Sequence, residues 1–122
     1  VTAISVMEAN LVGSIIVQPQ LLEQCQALGL RPADFQRATV GYVYGQIVAF
    51  TAAHPADLPD EPGPLDPVAL AHYIEATGTH PPDGWQWLVL LSKLTDDPSA
   101  DEYTVGHYAR TIIKQAIKRR ME

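Results

Sequence analysis

The chain has a single cysteine, Cys25, so no intrachain disulfide is possible, the framework of a small secreted domain is excluded, and a reducing cytoplasm is the expected setting. Basic side chains are also scarce. The first 109 residues hold three of them against thirteen acidic ones, a balance of −10. A surface of that sign does not suit duplex nucleic acid, whose phosphates need clustered Lys and Arg. No apolar run approaches the roughly 20 residues that cross a bilayer. The start, Val1-Thr2-Ala3-Ile4, has neither a basic leader region nor a cleavage signal, so no membrane is expected as a partner. It also lacks an initiator Met, which points to a fragment. No Gly-Lys pair occurs anywhere, and without one there is no phosphate-cradling P-loop. His54, His72, His80 and His107 are scattered, and with Cys25 they show none of the local ligand pairs that mark a zinc site. No catalytic residue, cofactor site or metal site is assigned to the chain.

What is present is helical. A chain of 122 residues is the size of one domain, and it can bury roughly two thirds of its unfolded surface. The stretch from Ala38 to Ala53 carries no charge and is apolar on every side of a helical projection, which predicts a central helix with others wrapped around it. Gly41 and Gly45 share one face of it and admit a second backbone. Ser5-Val6-Met7-Glu8 reads as a capping box opening a helix whose buried face is Met7, Leu11, Val12, Ile15 and Ile16, with Gly13 allowing a close crossing. Pro19 ends that helix and can enter the first turn of the next, where Leu21, Leu22, Cys25 and Leu28 form a stripe and Gly29 gives a left-handed exit. The two should form a hairpin. Arg31 to Phe35 reads as a short helical turn anchored by Phe35.

Five prolines, at positions 55, 59, 62, 64 and 67, with Asp57, Asp60 and Glu61 among them, make a loop without periodicity. Asp66-Pro67 restarts a helix with Leu70, Ala71 and Ile74 inward and Gly78 at its close. Asp83 and Gln86 open another, with Trp87, Leu88, Leu91 and Leu94 inward and Trp85 on a different side. Ser99-Ala100-Asp101-Glu102 is a second capping box, opening a helix that runs to the chain end. The paired carboxylates Asp60-Glu61, Asp96-Asp97 and Asp101-Glu102 lie in loops or first helical turns, where solvation and capping account for them. No strand signal and no internal repeat is visible.

The last helix is the most informative. Val105, Tyr108, Ala109, Ile112, Ile113, Ala116, Ile117 and Met121 form a stripe wider than one docking face requires. Tyr108 and Ile112 are expected inward, and Ile113, Ile117 and Met121 toward a second chain or a missing hairpin arm. Residues 110–122 hold five basic side chains and one acidic, a balance of +4. Most of this cluster complements the helix C-terminus. The candidate protein interface is therefore Ile113, Ile117 and Met121 with Arg110, Lys114 and Arg120.

Several of these segments, in this order, resemble the N-terminal domain of DnaB-type replicative helicases. Leu11-Val12-Gly13-Ser14-Ile15-Ile16 is similar to that family's first-helix signature, and Pro32-Ala33-Asp34-Phe35 to its Pro-x-Asp-Phe turn. Val43-Tyr44 with Ile47 resembles the family's central helix, Leu65-Asp66-Pro67-Val68-Ala69-Leu70 its Ile-Asp-x-Val-Thr-Leu segment, and Gly84 to Leu91 its Gly-x-x-Tyr-Leu-x-x-Leu helix. Tyr108-Ala109 with Ile112 and Arg119-Arg120 is similar to its Tyr-Ala-x-x-Val helix. The chain departs at Gln36, Val40 and Gly41, where the family has Tyr and a His-Arg pair, and in its longer proline-rich loop.

The resemblance implies an all-α domain spanning 1–122, a compact orthogonal bundle of about six helices around a central apolar helix, ending in a long helix that starts a helical hairpin. It also implies a non-catalytic collar of a hexameric replicative DNA helicase, a dimer within the ring, which supports ring assembly and docks primase or a helicase loader. ATP and Mg would belong to an ATPase domain downstream, and DNA would be met only through the full-length ring. The rival readings are a freestanding all-α adaptor and a small helical enzyme whose acids or histidines converge in space.

Overall fold

Apolar helical stretches leave the chain few ways to hide its side chains, and it hides them by packing helix on helix. The computed structural model describes residues 2–53, 67–76, 87–94 and 102–121. Within them lie α1 (Thr2–Val17), α2 (Leu21–Ala27), a 3-10 turn (Pro32–Asp34), α3 (Ala38–Ala53), α4 (Pro67–Glu75), α5 (Trp87–Leu94) and α6 (Glu102–Met121). The described residues contain no strand. The proline-rich loop, the Gly78 terminus, Trp85, and the caps expected at Asp66, Asp83 and Ser99 lie outside the described residues.

α3 takes the central place expected of it, with Val40, Val43, Tyr44, Ile47 and Phe50 buried in the core, and α1 shares it. α1 packs on α2, α3, α5 and α6, and α3 meets α1, α4 and the 3-10 turn and reaches α5 through Tyr42. Residues 11–16 are buried without interruption, so this stretch of α1 is enclosed on every side and not along one stripe, while Val6 nearer the start stays exposed. α1 also begins at Thr2, three residues before the expected Ser5 cap. Ser5 therefore lies inside the helix, and Glu8 has no N-terminus of its own to reach back to. α2 follows after a short link containing Pro19, which stays in the turn ahead of the helix and does not enter it. Both α1 and α2 lean on α6 more than on each other.

α2 ends where glycine permits it to. Gly29 takes φ of 86°, its N–H donates to the Gln26 carbonyl at 3.0 Å, and the Leu30 N–H donates back to the Cys25 carbonyl at 3.1 Å. The pattern is a Schellman closure, in which the left-handed residue lets two orphan carbonyls find donors.

Phe35, Tyr44, Ile47 and Leu91 share one core, as their positions in the sequence predict, together with Leu11, Ile15, Leu70, Ile74, Trp87, Val105 and Ile112. Aromatic pairs tie the layers together. Phe35 tilts against Tyr44 at 5.1 Å, Tyr42 stacks on Trp87 at 5.5 Å to join α3 to α5, and Phe50 meets Tyr73 edge-on to join α3 to α4. Cys25 is fully buried as a small core side chain, and its burial pushes the thiol up to about 12. The Tyr44 hydroxyl donates to the Leu30 carbonyl at 3.0 Å, and burial, with smaller contributions from Cys25 and Asp34, holds its ionisation well above the ordinary phenol value.

Candidate interaction face on the last helix

α6 is positioned by three neighbours, α1, α2 and the 3-10 turn. Val105, Ala109, Ile112 and Ala116 recur at helical spacing and are buried against them. Tyr108 and Ile113 are half-buried on the flanks, packed against the core. On the face turned away from these neighbours, Ile117 is 48% exposed and Met121 83%. Of the expected apolar row, Ile113 thus serves the domain in part, while Ile117 and Met121 face outward. Arg110 and Lys114 are exposed on the side next to them, with Lys118 continuing the row. At 100° per residue these three cations follow one edge of the apolar strip.

Arg119 and Arg120 behave differently from the other cations. Arg120 Nη2 lies 2.7 Å from Asp34 Oδ1, and Arg119 Nη2 donates to the Asp34 carbonyl at 2.9 Å. The basic end of α6 therefore does more than complement its own C-terminus, because it grips a turn from early in the chain. Asp34 is buried, and its other oxygen accepts the Arg31 N–H at 2.9 Å, while Arg31 Nη2 stands 3.5 Å from Oδ1. One carboxylate thus closes its own turn and receives two guanidiniums.

The same turn is pressed into α3 at its glycines. A Cβ on Gly41 would stand 2.5 Å from the Pro32 carbonyl oxygen, and one on Gly45 would stand 3.1 Å from Pro32 Cγ. The backbone admitted by this pair, expected from the spacing, is the 3-10 turn.

Glu8 completes the assembly. It is fully buried on α1, and its two carboxylate oxygens accept the backbone N–H groups of Gln36 and Arg37 at 2.5 and 3.1 Å, at the entry to α3. A negative charge there meets the positive end of the α3 dipole. Sequence reasoning missed both buried acids. Glu8 had a signal, since it is the one charged side chain among residues 1–22, and a lone charge in such a stretch is either solvated or held by a specific partner.

Among the described residues no three His, Cys, Asp or Glu side chains gather as metal ligands, and no helix is long and apolar enough to cross a membrane. What the geometry offers is a partly apolar, strongly basic helix face, braced from behind by a buried polar lock.

No family model matches the sequence, and no curated protein does. Among solved structures the chain is similar to the crystal structure of the N-terminal domain of DnaB helicase from Mycobacterium tuberculosis, at 22% identity and a TM-score of 0.73, over 95% of this chain and 75% of that one. The family resemblance carried by the sequence segments is thus met by a likeness of the whole fold. The chain has the all-α fold of the N-terminal domain of DnaB helicase.

Proposed function

We propose that the chain is the non-catalytic collar domain of a hexameric replicative DNA helicase, supporting ring assembly and offering a platform to primase or a helicase loader. The observation that carries this reading is the fold likeness over 95% of the chain to a DnaB N-terminal domain. The outward strip of α6 supports it, because exposed apolar rows beside a well-packed core commonly meet other proteins. In this reading Ile113, Ile117 and Met121, with Arg110, Lys114 and Arg120, form the contact surface. ATP and Mg bind in a separate ATPase domain, and DNA is reached through the ring.

The test begins by reading the open reading frame past residue 122 and expressing the longer polypeptide. A downstream P-loop domain and a six-membered ring by mass photometry are expected, with Ile117→Asp shifting the ring toward smaller species while the isolated domain keeps its melting temperature. A longer frame without an ATPase domain, or rings indifferent to Ile117→Asp, overturns the reading.

A further inference from the structure

We propose that Asp34 and the paired arginines of α6 form a latch: closed, it fixes the direction in which the end of α6 leaves the domain, and it opens without unfolding the domain. Its use, though not its existence, rests on the collar reading, in which the hairpin arm continues from this end. Ala116 is the last buried side chain of α6, and Ile117 to Met121 are all exposed. Apolar burial therefore stops more than one turn before the helix does. Past Ala116, among the described residues, the side-chain hydrogen bonds that tie α6 to the domain run from Arg119 to the Asp34 carbonyl at 2.9 Å and from Arg120 to Asp34 Oδ1 at 2.7 Å.

The two sides of this latch are built differently. The Asp34 side is held rigidly: Pro32 of the same turn lies so close over α3 that a Cβ at Gly41 would stand 2.5 Å from its carbonyl oxygen. α3 is in turn tied at its entry to Glu8 of α1 through the Gln36 and Arg37 N–H groups. The arginine side is free to move. Arg120 keeps 47% of its side chain exposed and Arg119 is exposed as well, so both guanidiniums exchange the turn for water at small cost. Asp34 is not stranded when they go, because Oδ2 still accepts the Arg31 N–H at 2.9 Å and Arg31 Nη2 still stands 3.5 Å from Oδ1. A buried carboxylate that lost every partner would weaken the whole fold. Opening is thereby confined to the end of α6, with its hinge after Ala116, while Val105, Ala109, Ile112 and Ala116 stay packed.

Double electron–electron resonance on the 122-residue chain tests this, with spin labels at Met121→Cys and at Glu23→Cys, an exposed position on α2, in a Cys25→Ala background. The parent should give one narrow distance distribution. Arg119→Gln with Arg120→Gln should broaden it and add a second, shifted population. Lys114→Gln with Lys118→Gln removes the same charge from the same helix without touching Asp34, and should leave the distribution as in the parent. Hydrogen exchange gives the second readout: in the arginine variant the amides from Val105 to Ile112 should keep their parent protection, since the core beneath them is undisturbed. An unchanged distribution in the arginine variant, equal broadening in the lysine variant, or lost protection from Val105 to Ile112 overturns the proposal. Both readouts lie within one chain, so their failure beside intact rings of the longer polypeptide removes the latch alone, and their success without rings removes the collar reading alone.

Discussion

Arg120, the penultimate residue of α6, and Asp34, in a turn 86 positions earlier, are joined by a 2.7 Å ion pair. The two partners are unequal. Asp34 is almost wholly withdrawn from water and Arg120 is about half exposed, so the cost of breaking the pair depends on which side is removed.

Asp34→Ala should destabilise the fold by about 2–4 kcal/mol, since it strips a buried acceptor from the Arg31 amide and from two guanidiniums. Arg120→Ala should cost about 1 kcal/mol or less, because Arg31 still faces the carboxylate and water reaches the gap. Urea melts of both variants give the comparison. Equal losses would mean that the pair is symmetric and that burial of Asp34 is not what sets its value.

Glu8→Gln keeps the size of the side chain but replaces one acceptor oxygen with an amide that cannot accept from Gln36 or Arg37. A loss of about 1–3 kcal/mol is expected. Hydrogen exchange supplies the local readout: the Gln36 and Arg37 amides should exchange faster relative to the global opening rate, and unchanged protection there would contradict the assignment.

Gly41→Ala should destabilise by about 1–3 kcal/mol, as its Cβ collides with a backbone carbonyl that cannot rotate away. Gly29→Ala meets no atom within 4 Å, so its cost is confined to the left-handed backbone, about 1–2 kcal/mol. The two differ in remedy as well as size. Gly29→Asn should recover part of the loss, because Asn tolerates that backbone, whereas Gly41→Ser should be no better than alanine.

The Cys25 thiol is raised from 9.0 to about 12 by burial. A raised folded-state value means that the native state holds the proton more tightly than the unfolded chain. Its contribution is therefore complete below pH 9 and lost progressively as pH climbs from 9 toward 12. Cys25→Ser should flatten this alkaline decline in a series of melts. At neutral pH the native thiol should resist Ellman's reagent and react only on addition of denaturant; prompt labelling of the folded chain would show that it is accessible.

The helices were legible because their signals are local. The run Ala38–Ala53 has the bounds of α3, Gly29 ends α2 as its conformational freedom suggests, and on α6 Ile112 is buried as spacing predicts, while Tyr108, expected inward with it, is only half-buried. That α1 is enclosed as well as α3 was not legible. Both helices are apolar, and how each is covered is decided by long-range packing, which periodicity does not encode. Glu8 shows the same limit from the polar side. Glu three residues after Ser fits a capping box, yet the helix runs three residues further back and its carboxylate serves another helix instead. Asp34 lay within a recognised motif, but that it would meet Arg120 depends on how α6 crosses the bundle. On α6, the exposure of Ile117 and Met121 follows from the width of its stripe, whereas the division of its cations between solvent and Asp34 does not.

The packing of α1 against α6 joins the first and last described elements of the chain. During synthesis, α1 emerges roughly a hundred residues before its principal cover is complete, and until α6 has left the ribosome the apolar ring at 11–16 has no lid on that side. The nascent domain therefore waits, with sticky surface open, for its final turn. Closure of so long a loop also raises the entropic barrier and slows folding compared with a bundle of sequential neighbours. A ribosome stalled before residue 102 should hold a chain that chaperones recognise, and release of the last twenty helical residues should end that recognition in one step.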